Sequence, residues 1–246
     1  MLSKDSISLL IKNSVDVYVY DTVTSTNDVA KELSSENRCI LVVADGQTNG
    51  RGRQGKSFFS PHDSGLYFSL AIDTSSPGFN FTGITCAVAV AVSRAIRKIA
   101  ETDVKIKWVN DLYIDNKKVC GILVQAVSKG SDISKLIVGV GINISTVDFP
   151  DELQDIAGSL GKNIDRNVLT AEAVDNILDL IFKNPEEYID EYKNNSNVLG
   201  KEIVYIQNGI SHTATAVDID KKGGLIVEKD GEKITLTSGE ISVRFR

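Results

Sequence analysis

Apolar and polar positions alternate over "VDVYVYD" (15–21), the period-2 pattern of a strand covered on one face. "CILVVAD" (39–45) is a continuous apolar run, as in a buried strand, and "GLYFSLAID" (65–73) is another; a loop with four glycines separates them. "STNDVAKELSS" (25–35) opens with a Ser/Thr/Asn cluster suited to capping a short helix. "NFTGITCAVAVAVSRAIRKIAE" (80–101) has the length, small residues and apolar spacing of a well-buried helix. Strands are predicted at "VKIKW" (104–108), "VCGILVQAV" (119–127) and "KLIVGVGINI" (135–144), with Asp115-Asn116 as the tight turn of a hairpin. Residues 168–193 read as a helix with a kinked continuation at Pro185. After "NNSNVLG" (194–200) the pattern becomes short β segments, "EIVYIQ", "HTATAVDID", "GLIVEKD", "EKITLTSGE" and "ISVRF", separated by Gly, Asp and Lys turns.

Strands joined by hairpins give a mixed or mostly antiparallel sheet rather than a doubly wound parallel one, so the fold class is α+β with packed helices. The short C-terminal strands predict a small β-barrel. The expected domains are residues 1–196 and 197–246, divided in the Asn/Ser-rich linker near residue 196.

Composition narrows the function. The chain has 246 residues, net charge −6 and 42% hydrophobic residues, enough for a sizeable core. Acidic residues are spread along it and no basic tail is present, so nucleic acid and anionic membranes are not expected partners. Cys39, Cys86 and Cys120 form no CxxC pair and read as buried thiols in a reducing cytoplasm. The N-terminus "MLSKDSISLL" is too short and polar for a signal peptide, and the longest apolar run, "ITCAVAVAVSRAI", is broken by Ser93 and Arg94 short of a membrane span. A cytoplasmic location follows as the expectation. His62 and His212 have no evident partner nearby in sequence and read as surface residues, so catalysis is expected to rest on charge and positioning rather than a proton relay.

The local charge around Arg51 needs an explanation in so acidic a chain. Gly50-x-x-x-x-Gly55-Lys56-Ser57 spells a P-loop, but that motif needs a helix starting at the Lys-Ser end to aim its N–H groups at phosphate. Here Phe58-Phe59-Ser60-Pro61 follows and Gly65 begins a strand, so spelling and context disagree. What remains is a glycine-rich ligand loop in which Arg51 and Arg53 supply planar, permanently charged donors for phosphate or carboxylate. The bland alternative is a surface loop that is glycine-rich because it turns.

"STND" (25–28), "ADGQTNGRGRQGKSFFSP" (44–61), "KWVNDLYIDNKKVCGILVQ" (107–125), "VGVGINIS" (138–145) and "GEISVR" (239–244) occur in the order found in biotin–protein ligases. The chain resembles that family from about residue 17 to its C-terminus. The resemblance implies a class II synthetase-like catalytic fold with an SH3-like C-terminal barrel. It also implies a two-step reaction: biotin and MgATP give biotinyl-5′-AMP and pyrophosphate, and a lysine of a biotin carboxyl carrier domain then takes the biotinyl group. A carboxylate attacking an α-phosphate brings like charges together, so such a site must supply cations and Mg²⁺.

By the resemblance, Ser25 and Thr26 hydrogen-bond the biotin ureido ring, Asn27 completes that motif and Gln47 is a second ureido contact; helix capping and loop polarity are the ordinary alternatives. Gly50, Arg51 and Arg53 belong to the loop that closes over biotin and adenylate, with Arg51 near the biotin carboxylate and reacting phosphate. Lys118 should contact the α-phosphate and activated carboxyl oxygen, and Gly121 lets its strand approach biotin closely. Asn110 and Asp111 lie in the "KWVND" motif, with Asp111 assigned either to orient Arg53 or to help hold Mg²⁺. Phe58, Asn143 and Arg244 complete the adenylate contacts, while Trp108 reads as packing. The catalytic set is Arg51, Arg53 and Lys118.

Three positions depart from the family pattern: Phe58 replaces a tryptophan, Val109 a proline and Gln125 a common glutamate. The stretch ahead of residue 25 is too short for the DNA-binding domain that many bacterial members carry, so a repressor role is not expected. A homodimer through otherwise exposed sheet edges fits the resemblance. The rivals are a lipoate–protein ligase, which shares fold and adenylation chemistry, a P-loop ATPase or kinase, and a non-catalytic biotin-binding protein.

Overall fold

The computed structural model describes residues 1–34, 38–74, 79, 81–128, 132–207 and 209–237, with backbone alone for 129 and 242–245. The catalytic body contains α1 (Lys4–Leu10), β1 (Asp16–Val23), α2 (Thr26–Leu33), β2 (Ile40–Gln47), β3 (Gly65–Asp73), α3 (Ile84–Ala100), β4 (Lys105–Lys107), β5 (Asp111–Ile114), β6 (Lys117–Lys129), β7 (Asp132–Asn143), α4 (Arg166–Ile181) and α5 (Ile189–Asn194). Its sheet has the order β1-β2-β3-β7-β6-β5-β4, parallel between β1 and β2 and antiparallel elsewhere. The sheet is mixed, as the hairpin pattern requires. Asp115 and Asn116 form the β5–β6 turn with φ of 46° and 70°, the left-handed pair that a two-residue hairpin demands.

Successive strand residues face opposite sides, and the two faces differ in chemistry. Leu66, Phe68, Leu70 and Ile72 of β3 join Val138, Val140 and Ile142 of β7 in the main core with α3 and α4. On the other face, Ala71 and Ile137 pack with Ala30 of α2. Farther along that face come Ser69, Tyr67, Gly139 and Gly141, paired as Ser69↔Gly139 and Tyr67↔Gly141. Gly121 of β6 lies opposite Gly141. A polar and glycine-lined patch thus opens beside α2, and the candidate site forms there.

The first helix was not evident from the sequence. Ser3 caps it through Ser6 N, Ile7 buries its side chain, and Ser3 N donates to Asn167 Oδ1 of α4. The expected helix at 168–193 divides: α4 ends at Ile181, a 3-10 turn follows at Pro185–Glu187, and α5 starts at Ile189. Strands β8 (Glu202–Gln207), β9 (Ile210–Ile219), β10 (Leu225–Lys229), β11 (Glu232–Leu236) and β12 (Ser242–Phe245) make a C-terminal antiparallel sheet of order β11-β10-β9-β8-β12. Its Asp220–Gly224 turn docks on the catalytic body: Trp108 Nε1 donates to Gly223 O at 2.9 Å, and a side chain at Gly223 (φ 82°) would meet Cys86 Sγ. Trp108 is 5% exposed, a packing residue as expected.

Candidate active site

Two cavities meet at the glycine-rich loop. The inner one, about 40 Å³, is lined by Ser25, Thr26 and Asn27 from the start of α2, Gln47 from the end of β2, Lys118, and the glycines Gly121, Gly139 and Gly141. The outer one, about 530 Å³, is bounded by the loop from Asn49 to Ser57, by Thr85 and Asn110, and by Ile122–Gln125 of β6. Arg51, Gly52, Arg53 and Asn110 line both.

The inner cavity is organised by hydrogen bonds between buried polar groups. Gln47 Oε1 accepts from Thr26 N at 2.8 Å and lies 3.1 Å from Thr26 Oγ1; Gln47 Nε2 donates to Ser60 Oγ at 2.9 Å. Ser69 Oγ lies 2.6 Å from Asn27 Oδ1 and 2.7 Å from Thr26 Oγ1, while Asn27 Nδ2 donates to Gln125 Oε1 at 2.8 Å. Ser25, Thr26 and Asn27 are 1%, 3% and 6% exposed, so these groups are fixed rather than solvated. Ser25 occupies the N-cap of α2 without a side-chain capping bond, leaving its hydroxyl to the cavity it lines. A Cβ at Gly139 would sit 2.0 Å from Asn27 Oδ1, and one at Gly141 would sit 2.6 Å from the Phe58 ring. Glycine at these positions is what lets Asn27 and Phe58 rest on the sheet.

Phe58 covers Gly121 and Gly141, meets Tyr67 edge-on at 6.4 Å, and lies 5.8 Å from Lys118 Nζ. Lys118 is not a solvated hairpin lysine: its Nζ pairs with Asp111 Oδ1 at 2.7 Å, and its side chain is 30% exposed. Arg53 donates to Asn110 Oδ1 at 3.1 Å, and Asn110 Nδ2 donates to Ile122 O at 2.8 Å, tying the loop to β6. So Asn110 accepts this hydrogen bond from Arg53, while Asp111 acts on Arg53 as a nearby charge. Burial pulls the Arg53 guanidinium below its usual pKa, and Asp111 and Tyr192 oppose that shift. Arg51 is bound by Asp28, with Nε at 3.0 Å and Nη2 at 2.9 Å from Oδ2.

Other expectations fare differently. The loop forms an Arg51↔Ser57 bridge around a 3-10 turn at Arg53–Gly55, and among the described residues the first α-helix after Lys56 begins at Ile84, which removes the P-loop. Asn143 is 4% exposed and donates to Gly158 O at 2.9 Å; its Oδ1 has no hydrogen-bond partner among the described residues, and it is not among the residues lining either cavity. Arg244 lies on β12 opposite Val204, and its side chain falls outside the described residues. His62 is exposed, as expected, and the partners it has are distant in sequence: Nε2 lies 2.6 Å from Thr22 Oγ1 and Nδ1 lies 3.4 Å from Asp45 Oδ2. Burial lifts the thiols of Cys39 and Cys86 to about 12 and raises Cys120 too, so these sulfurs stay protonated and none is a thiolate nucleophile.

Among the described residues no carboxylate lines either cavity, and the nearest in the motif, Asp111, already holds Lys118. A resident Mg²⁺ needs carboxylate and water ligands in octahedral array, so this donor set fits an ion carried in on nucleotide phosphates better than one held by the protein. Sequence reasoning missed Ser60, Ser69 and Asp28. Only Ser69 left a signal, as a polar residue on the covered face of an otherwise apolar strand.

The arrangement defines a ligase-type site: a polar slot for an uncharged ring system, opening onto arginines and a lysine able to receive anions. Comparison with known proteins agrees. The profile of the Biotin/lipoate A/B protein ligase family matches residues 19–143, and that of the Biotin protein ligase C terminal domain matches residues 198–244. The chain belongs to the biotin/lipoate A/B protein ligase family. The Bifunctional ligase/repressor BirA of Escherichia coli is 29% identical over 240 residues, covering 93% of this chain and 74% of that protein. The Bacillus subtilis protein of that name is 34% identical over 195 residues, covering 76% and 60%. Among solved structures, Biotin protein ligase from Aquifex aeolicus in complex with biotin and ATP superimposes with a TM-score of 0.83 at 31% identity, covering 94% of this chain and 99% of that one.

Proposed function

We infer that this chain activates biotin with MgATP to biotinyl-5′-AMP and then transfers the biotinyl group to a lysine of a biotin carboxyl carrier domain. The observation that carries the reading is the shared boundary of the two cavities, where Arg51 and Arg53 adjoin a polar slot built from Thr26, Asn27, Gln47 and Ser69. A ureido ring offers one carbonyl and two N–H groups, which such fixed donors and acceptors can match. The dithiolane ring of lipoate offers no hydrogen-bonding group, so binding it would leave the slot's polar groups unpaired.

In the first step a biotin carboxylate oxygen attacks the α-phosphorus and pyrophosphate departs. Arg51, Arg53 and Lys118 offset the meeting of like charges, and Mg²⁺ enters as part of the nucleotide substrate. In the second step the neutral carrier lysine attacks the acyl carbon, the amide forms, AMP leaves and a proton is lost. The outer cavity is the side from which the second reactant reaches the arginines. Ser25 and Gly121 complete the biotin wall and Gly50 the loop over it; Phe58, on the glycines of the inner cavity, and Asn110 stand where biotin meets the adenylate; Asn143, which lines neither cavity, and Arg244 are carried to the adenylate by the resemblance alone; Asp111 serves by holding Lys118. Residues 1–196 form the catalytic domain and residues 197–246 a smaller β-domain packed on it through the Asp220–Gly224 turn.

The same reading places the protein in the cytoplasm as a homodimer that does not engage nucleic acid. The net charge of −6 supports the last point, and among the described residues no helix is long and apolar enough to cross a membrane. Sedimentation with and without biotin and ATP measures the oligomeric state. The deciding experiment supplies biotin or lipoate with MgATP, measures acid-dependent pyrophosphate release, then adds a carrier domain and looks for a biotinylated lysine by mass. Activation of lipoate in place of biotin would overturn the reading.

A further inference from the structure

Arg51 reaches out of its loop to a single carboxylate. The loop is a closed hairpin: Arg51 and Ser57 form a bridge, Gly52 N donates to Lys56 O at 2.7 Å, and Phe58 N donates to Gly50 O at 2.8 Å. From it, Arg51 directs Nε and Nη2 onto Asp28 Oδ2 at 3.0 and 2.9 Å. Asp28 follows Asn27 directly, in the first turn of the helix whose Thr26 and Asn27 wall the inner cavity. This ion pair therefore ties the loop to the opposite wall of the slot. Both partners keep solvent contact, at 49% and 33% side-chain exposure, and a pair of that kind is weak and readily exchanged.

We propose that Asp28 is a positioning residue that latches the loop through Arg51 and so governs retention of the acyl-adenylate. Asp28 keeps the Arg51 guanidinium at the junction of the two cavities before substrate arrives. An incoming carboxylate or phosphate then meets the N–H groups that Asp28 does not use, on a guanidinium already placed, rather than recruiting an exposed arginine from solution. While the adenylate waits for the acceptor lysine, the same tie resists opening of the loop. This inference rests on the adenylate-forming reading above.

The test uses the full chain as wild type, Asp28→Asn, Asp28→Glu, Arg51→Ala and Asp28→Asn/Arg51→Ala. Each is incubated without carrier, either with biotin and MgATP or loaded directly with biotinyl-AMP so that retention is read apart from adenylate formation, and biotinyl-AMP is quantified in the protein-bound and free fractions. The latch requires Asp28→Asn to form adenylate yet release it several-fold faster than wild type, with Asp28→Glu close to wild type. In the Arg51→Ala background, Asp28→Asn should add no further release. Raising ionic strength should speed release more from wild type than from Asp28→Asn, because screening acts on the pair as well as on the cations that meet the phosphate. Retention by Asp28→Asn equal to wild type would overturn the latch. So would an equal fold-change with and without Arg51, or a lowered melting temperature without leakage, either of which would reduce Asp28 to a helix-terminal charge. A wild type that makes no adenylate at all would instead remove the parent reading, and the latch with it.

Discussion

Lys118 Nζ lies 2.7 Å from Asp111 Oδ1, although the two residues belong to adjacent strands that do not pair them directly. The β5–β6 ladder shifts register between Leu112 and Tyr113, and this irregularity brings the lysine over Gly121 and toward the carboxylate. Lys118→Ala should therefore lower the adenylation rate by about 10² or more while biotin still binds, because the lost cation acts on charge that develops in the reaction. Pyrophosphate release paired with biotin calorimetry checks both halves. Asp111→Asn leaves the cation present but unheld, and its loss of rate should be smaller than that of Lys118→Ala.

Ser69 shares its hydroxyl between two pocket residues, at 2.6 Å from Asn27 Oδ1 and 2.7 Å from Thr26 Oγ1. Ser69→Ala removes that link without adding bulk. Loss of one buried hydrogen bond costs about 1 kcal/mol, so KM for biotin should rise roughly five- to tenfold with kcat little changed. A fall in kcat at constant KM would place Ser69 in the chemistry instead.

The sequence showed strands and helices well and partnerships poorly. "GLYFSLAID" and "ITCAVAVAVSRAI" were readable because burial leaves an apolar run whatever the neighbours are. The P-loop could be rejected because Pro61 and Gly65 are local signals against a helix. Helix α1 escaped notice because its hold on the protein is tertiary: Ile7 is buried and Ser3 bonds to Asn167, 164 residues away. Likewise, Asp28 and Arg51 are 23 residues apart and His62 and Thr22 are 40 apart, separations that no short motif encodes. The glycines of "VGVGINIS" had a purpose visible only once β6 and β7 were paired and Asn27 and Phe58 were laid across them.

Asp45 offers a pH-dependent test of the scaffold beneath the site. It stands two residues before Gln47, is paired with Arg166 of α4, and has Asp63 and His62 close by. Burial pushes its pKa up, but the hydrogen bond and charge of Arg166, with hydrogen bonds from His62 and Asp63, outweigh that and hold it below the ordinary carboxylate value. A carboxylate depressed on folding stabilises the protein fully above its unfolded pKa, and that contribution is lost as pH falls through the folded value. The melting temperature of wild type should accordingly drop below about pH 4. Asp45→Asn should be less stable at neutral pH by about 1–3 kcal/mol and should lack this part of the acid slope. Matching slopes for the two proteins would show that other carboxylates carry the acid response.

Gly139 gives the sharpest steric test. Its missing side chain leaves room for Asn27, whose Oδ1 would lie 2.0 Å from an added Cβ, well inside contact distance. Asn27 cannot simply swing aside, because Ser69 holds its Oδ1 at 2.6 Å and Gln125 accepts from its Nδ2 at 2.8 Å. Gly139→Ala must therefore break one of these bonds or push α2 off the sheet, at a cost of about 1–3 kcal/mol by overpacking. The polar slot should loosen with it, and on the proposed reading KM for biotin should rise tenfold or more. Pairing Gly139→Ala with Asn27→Ala removes the atom in the way and should recover most of the lost melting temperature, though not the biotin affinity. If the double variant melts no higher than Gly139→Ala alone, the clash lies elsewhere and Asn27 is not what the glycine makes room for.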